Sequence, residues 1–256
     1  MGARQGKVAL VIGGTSGIGK ATAQAFLQDG AKVMIASRRA EGVAIAEELS
    51  RYGEVSFCQT DVSKEEDIIR VVQQTVAEFG RLDYALNTPG ITGPVKPMAE
   101  YSLDEWQQVI ALNLNSMFVM TREQVKQFQA QGSGGYIFHV SSAIGKRSFA
   151  GLGAYGASKR ALESLIETAA QEYSSQGIII NGIAPGSVYS ETFDGFANGG
   201  DPATVKYLAE TFHLVKRIGK PEVVANLILA LCASDPFDAF VTGATIPVDG
   251  GWIFRQ

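Results

Sequence analysis

Cysteine is almost missing from this chain of 256 residues. The two present, Cys58 and Cys232, lie far apart, with no C-x-x-C pair and no neighbouring histidine. That argues against a disulfide framework or a structural zinc site and suits a reducing compartment. Both are expected to be small buried hydrophobes. Long apolar runs are missing too, and nothing approaches the ~20 residues of a membrane span. The N-terminal MGARQGKVALVIGG has a short apolar run leading straight into glycines, without the core and cleavage site of a signal peptide. A cytoplasmic protein is the expectation. Charge gathers nowhere: 22 basic residues are scattered among 26 acidic ones, for a net charge of −4. No electrostatic footprint for nucleic acid or anionic membrane results. Linkers, repeats and low-complexity tracts are also lacking. A hydrophobic content of 46% and a charged content of 19% describe an ordinary globular chain, long enough for one large core.

What is present is alternation. Apolar strand-like runs at Val8 to Ile12, Lys32 to Ala36, Val55 to Gln59, Leu82 to Leu86, Tyr136 to Ser141, Ile178 to Ala184 and Thr245 to Val248 are separated by helical stretches. Those helices run to about Gln28, over Glu41 to Tyr52, from Ser63 to near Gly80, from Ser102 to about Gln129, through Tyr155 to about Ser174, and over Glu222 to Cys232. Ser63 with Glu66, and Ser102 with Glu105, have the spacing of capping boxes. Apolar strands joined by crossover helices predict an α/β fold, a doubly wound parallel sheet with helices on both faces. Residues 188–217 have poor periodicity and many glycines and aromatics, as a binding loop or lid would.

Gly13, Gly14, Thr15, Ser16, Gly17, Ile18 and Gly19 follow the first strand and open the first helix. Glycines let a backbone turn tightly against a pyrophosphate, and a helix start offers free N–H groups and partial positive charge. The spacing is G-x-x-x-G-x-G rather than the common G-x-G-x-x-G. Gly14 to Lys20 also reads as a near P-loop, but Ala21 stands where a Ser or Thr should hold magnesium, and Thr22 comes one place late. An NTPase is therefore a remote alternative.

Tyr155 is the only one of eight tyrosines with a lysine, Lys159, four places on, which puts the two on one helical face. An ammonium beside a phenol favours phenolate, so the pair is a candidate general acid/base. A solvated helix face with a snorkelling lysine is the bland alternative. Ser142 lies thirteen residues before the tyrosine, with Ser141 adjacent.

With the Gly13 turn, Asp61-Val62, Asn87-Thr88-Pro89-Gly90, Asn113, Ser142, Tyr155, Lys159 and Pro185-Gly186 in this order, the chain resembles the short-chain dehydrogenase/reductase family over nearly its whole length. The resemblance implies one Rossmann-type NADP(H)-binding domain over residues 1–256, with seven strands and a lid at about 188–217. It implies that Tyr155 exchanges a proton with the substrate oxygen and that Ser142 holds that oxygen. Lys159 would bind the nicotinamide ribose, and Asn113 rather than Asn115 would position a water linking Lys159 to solvent. Asp61 and Val62 would meet the adenine, and Asn87 and Gly90 would wall the ribose. Pro185, Gly186, Val188 and Ser190 would follow the nicotinamide. It further implies a homo-oligomer, a tetramer by analogy, acting on a small carbonyl or alcohol. A dinucleotide-binding sensor or scaffold without turnover is the alternative, against which an intact Ser142, Tyr155 and Lys159 set argues.

Cofactor choice turns on Ser37, Arg38 and Arg39 at the end of the second strand, where NAD-preferring relatives place an acid. Guanidinium binds a 2′-phosphate that a carboxylate would repel, so NADP(H) is expected, with Ser37 and Arg38 as the contacts, Arg39 next to them, and NAD(H) not excluded. Two departures stand out. Ile12 replaces the family's Thr, and Thr88-Pro89 replaces Asn-Ala, removing a hydroxyl on one side and a backbone N–H on the other. The two are expected to compensate, with apolar packing in place of a polar tie. Tyr189, Phe193, Phe196, Tyr207 and Phe212, facing Phe149 and Leu152, suggest a partly apolar ketone, or simply pack the lid. Lys146 and Arg147 either meet an anionic group or remain solvated. His139 and His213 read as structural.

Overall fold

Val8–Ile12 is buried at every position, so β1 has no solvent face and must lie inside a sheet covered on both sides. The computed structural model describes residues 2–255, apart from the side chains of residues 191, 192 and 196. The expected part of Phe196 in a lid falls outside the described residues. After β1 come β2 Lys32–Ser37, β3 Val55–Gln59, β4 Tyr84–Asn87, β5 Gly135–Val140, β6 Ile178–Pro185 and β7 Thr245–Val248. They form one sheet in the order β3-β2-β1-β4-β5-β6-β7, parallel throughout.

Side chains alternate across this sheet, and each face has its own core. Leu10 and Ile12 pack with Ile68, Met120, Phe128 and Leu162 from α3 Glu65–Phe79, α5 Ser116–Gln131 and α7 Gly153–Tyr173. Ala9 and Val11 pack with Phe26, Leu27, Leu49 and Ile228 from α1 Gly17–Gln28, α2 Gly42–Leu49 and α10 Pro221–Leu231. The chain leaves β1 in one direction and returns to its other side as β4. A crevice opens at the carboxyl ends of those two strands, the switch point where such sheets bind ligands.

Three local expectations change. The Ser63–Glu66 capping box does not form: α3 starts at Glu65 with Lys64 as its cap. Ser63 donates instead from N and Oγ to Asp61 Oδ1, at 3.0 and 2.8 Å, because a carboxylate two residues back is a closer acceptor. The Ser102–Glu105 box does form, at the start of α4 Leu103–Ile110. The helical region beyond it runs on as expected but is not regular α-helix throughout, since one π turn, Ala111–Asn115, interrupts it between α4 and α5 Ser116–Gln131. Nor is 188–217 irregular. It holds α8 Glu191–Phe196 and α9 Pro202–Phe212, the latter capped by Asp201, which accepts from Thr204 N at 2.8 Å. Asp-Pro at a helix start was a legible signal that the glycines and aromatics around it masked.

The polar tie expected to be lost at Ile12 survives with its direction reversed. Thr88 donates from both N and Oγ1 to Ile12 O, each at 3.0 Å, while the Ile12 side chain joins the core. Apolar packing is therefore added to the tie rather than exchanged for it. Thr88→Val keeps the shape and removes the Oγ1 donor. It should lower the unfolding free energy by about 1 kcal/mol in a urea titration; a midpoint equal to that of the unaltered protein would show the tie contributes nothing.

Candidate active site

The glycine loop is built for close approach. Gly13 leaves β1 at φ +84°, and Gly13 N and Gly14 N both donate to Ala36 O, pinning the loop to β2. A Cβ on Gly19 would lie 2.1 Å from Gly13 O, so only glycine lets α1 pack against the loop. Ser16, the N-cap of α1, makes no side-chain cap, which leaves the helix start with N–H groups to offer an anion. Thr15, Ser16, Gly17 and Ile18 line one side of a cleft of about 480 Å³, with Ser37, Arg38 and Arg39 at its far end. The turn bearing those arginines is held by Ser37 Oγ donating to Arg39 O and Gln59 Nε2 donating to Arg38 O. Gly90, Pro185, Gly186, Val188 and Ser190 complete the cleft, together with Thr88, Pro89, Ile91 and Thr92, which sequence reasoning had not assigned.

Four expected residues lie elsewhere. Asn87 is fully buried, its amide exchanging hydrogen bonds with Gln124 at 2.9 and 2.8 Å. Asp61 and Val62 follow β3 outside the lined cleft, and hydrogen bonds from Ser63 lower the Asp61 pKa. Asn113 also lies beneath the cleft. Its π turn aims the amide at the loop after β4, where Oδ1 accepts from Ile91 N and Nδ2 donates to Ile91 O, both at 2.8 Å. Nδ2 donates as well to Ser158 Oγ at 3.0 Å, and Ser158 Oγ donates to Tyr155 O at 2.7 Å. Asn113 thus ties the wall of the cleft to the tyrosine's own turn, while Asn115 is exposed.

Ser142 caps α6 Ala143–Lys146, accepting from Ile144 N at 3.2 Å, and its hydroxyl meets the Tyr155 phenol. Ser141 turns the other way, donating to Glu163 Oε1 at 3.2 Å. Burial raises the Tyr155 pKa, and the hydrogen bond with Ser142 opposes that rise. Lys159 Nζ donates to Val140 O at 2.9 Å and stands 5.7 Å from the tyrosine ring centre. Its ammonium is therefore aimed at a carbonyl rather than at the phenol, and the expected pull toward phenolate is not what dominates here.

Beneath the lysine, His139 is held neutral, its pKa depressed to about 3 by burial first and by Lys159 second. Its tautomer follows from its partners. Thr121 Oγ1 gives its one proton to Met117 O, so it accepts from His139 Nε2, while His139 Nδ1 accepts from Asn87 Nδ2.

Desolvation alone lowers the Lys159 pKa from 10.5 to about 8. The unfolded chain therefore binds more protons at this group across that window, and the group makes the fold more stable as pH rises through it. The difference in urea midpoint between the unaltered protein and Lys159→Met should grow in the same sense between those two pH values. A flat difference would mean the ammonium is not desolvated.

A second, apolar cavity of about 170 Å³ adjoins the cleft and shares Ser142, Tyr155, Gly186, Val188 and Ser190 with it. Phe149, Leu152, Phe193 and Phe212 line it as expected, joined by Ile144, Ser187, Leu208 and Trp252. Tyr189 and Tyr207 do not line it; they pack edge-on against Phe193 and Phe212. Lys146 pairs with Glu163 at 3.0 Å, and Arg147 donates to Arg255 O, so both cations are engaged away from the cavity. His213 Nε2 accepts from Ser187 N at 3.1 Å, fixing the turn where the two cavities meet.

Comparison with known proteins shows the family and the fold. A family model described as enoyl-(acyl carrier protein) reductase matches residues 13–253. 3beta-Hydroxysteroid dehydrogenase 2 of Eggerthella lenta is 35% identical over 253 residues, covering 96% of this chain and 95% of its own. Among solved structures, levodione reductase superposes with a TM-score of 0.89 at 29% identity, covering 98% of this chain and 99% of that one. ElxO with NADP bound gives 0.88 at 30% identity, covering 97% and 99%. By matched length, by fold and by the company its tyrosine and lysine keep, the chain belongs to the short-chain dehydrogenase/reductase family of oxidoreductases.

Proposed function

We propose that this protein is an NADP(H)-dependent oxidoreductase interconverting a ketone and a secondary alcohol. The observation that carries the reading is the shared boundary of the two cavities. Where the polar cleft meets the apolar cavity, the wall carries the hydroxyls of Ser142 and Tyr155. A carbonyl oxygen becoming an alkoxide needs two such donors and an acid. Ser142 donates a hydrogen bond to that oxygen, and the Tyr155 O–H delivers the proton. When bound, the reduced nicotinamide supplies the hydride to the carbonyl carbon. Burial keeps Tyr155 protonated, as a donor in the reducing direction must be. Lys159 binds the nicotinamide ribose and stabilises the tyrosinate left after transfer. Asn113 is a positioning residue for the turn that carries Tyr155, and it seats the water expected beside Lys159.

The glycine loop fits a pyrophosphate, since its glycines admit close approach and the first turn of α1 offers N–H groups. Ser37 and Arg38, with Arg39, hold the 2′-phosphate, because no carboxylate lines the cleft among the described residues. Asp61 and Val62, just after β3, would meet the adenine where the nucleotide extends beyond the lined cleft.

Two measurements test the reading. Tyr155→Phe should lose at least about 100-fold in kcat with any ketone the unaltered protein reduces, while NADPH affinity measured by fluorescence titration stays within about twofold. Full activity would remove Tyr155 as the acid. Tight NADPH binding without turnover of any ketone would favour a sensor. Arg38→Ala should raise KM for NADPH about tenfold and leave KM for NADH alone, in line with loss of a charge-assisted contact worth about 1.5 kcal/mol. A steady-state preference for NADH in the unaltered protein would overturn the cofactor assignment.

A further inference from the structure

We infer that the substrate is a neutral ketone carried on, or one carbon from, a single six-membered ring, and that Trp252 selects it. The inference rests on the oxidoreductase reading and names what that site accepts.

Size comes first. The apolar cavity beside Ser142 and Tyr155 has a volume of about 170 Å³. An apolar cavity of ~150 Å³ is known to take up benzene, so one ring fills this space and a larger body must project through the mouth. Charge comes second. Among the described residues, no Asp, Glu, Lys or Arg lines the cavity. The two cations nearest in sequence to Ser142 are occupied, Lys146 by Glu163 and Arg147 by the Arg255 carbonyl. A carboxylate or phosphate placed here would lose its hydration without a partner. Among the described residues, the polar groups on the wall are serine and tyrosine hydroxyls and the Trp252 indole N–H, all uncharged, and Ser142 and Tyr155 are taken by the reacting oxygen.

Shape comes third. Phe149, Phe212 and Trp252 form one wall, with ring centres 5.6 Å apart for Phe149–Phe212, 6.4 Å for Phe149–Trp252 and 5.6 Å for Phe212–Trp252. Three mutually inclined rings present faces and edges to a flat or chair-shaped guest and gain contact area that an extended chain does not supply. Trp252 is fixed in place from both sides. The buried Asp249 carboxylate accepts from Gly251 N and Ile253 N, each at 2.9 Å, and Arg255 Nη1 donates to His213 O at 3.0 Å. The indole is thus a preformed wall, and replacing it removes a surface rather than relaxing a loop.

The test uses the full chain with NADPH, and NADH in parallel, against three ketones of equal carbon number: a methylcyclohexanone, a linear neutral ketone and a linear 3-oxo carboxylate. The ring ketone should exceed the linear one about tenfold in kcat/KM and the carboxylate about 100-fold. Trp252→Ala should collapse the ring-over-chain ratio through KM rather than kcat, and Trp252→Phe should restore most of it. Phe149→Leu, at the open mouth, serves as a second variant should Trp252→Ala not fold. Preference for the linear or anionic ketone, or an unchanged ratio in both variants, overturns the inference. A turnover-independent arm separates it from the activity. In Trp106→Phe the remaining indole reports binding by fluorescence in the presence of NADP. If no ketone is reduced with either nucleotide, the oxidoreductase reading fails. The shape inference is still decided by whether the ring ligand binds about tenfold tighter than the linear one.

Discussion

Burying an ammonium without a carboxylate partner is costly, and the centre of this protein is arranged around that cost. Lys159 is almost wholly removed from solvent, forms no ion pair among the described residues, and keeps one backbone carbonyl as acceptor. Nothing below it adds charge, because His139 is held neutral and Asn87, Gln124 and Thr121 satisfy one another and the imidazole. The result is a stored electrostatic potential facing the cleft. A negatively charged oxygen arriving near Tyr155 would find a cation whose hydration has already been given up, which makes the interaction stronger than it would be in water.

The scaffold that holds this arrangement is cross-linked by hydrogen bonds between the elements that carry it. β5 delivers Ser142 and the Val140 carbonyl, α7 delivers Tyr155 and Lys159, and the Asn113 π turn fastens α7 to the loop after β4. π turns inside longer helices are uncommon and often mark functional positions, since the extra residue redirects a side chain that a regular helix would point elsewhere. The same logic explains the Thr88 tie. Ile12 makes the β1 end fully apolar, and the hydroxyl that holds the cleft wall comes instead from Thr88, just beyond the neighbouring strand β4.

The apolar cavity is assembled differently, from pieces distant in sequence. Phe149 follows α6, Phe212 ends α9, and Trp252 sits near the C-terminus, yet the three rings form one wall. Residues of this kind carry no local signature. An aromatic in a loop looks the same in sequence whether it packs a lid or lines a cavity, and Tyr207 and Phe212, five positions apart, divide along that line.

The sequence by itself determined the strand and helix alternation, the glycine turn before α1, and the pairing of Tyr155 with Lys159 on one helical face. Each is a matter of local periodicity or of a backbone conformation that few residues allow. Competition for partners lay beyond it. Ser63 chose the Asp61 carboxylate over a helix cap, Lys159 chose the Val140 carbonyl over the phenol, and Asn87 chose Gln124 over the cleft. Only the tertiary structure decides such choices, because each depends on which acceptor the folded chain brings nearest and on how little water remains to offer another.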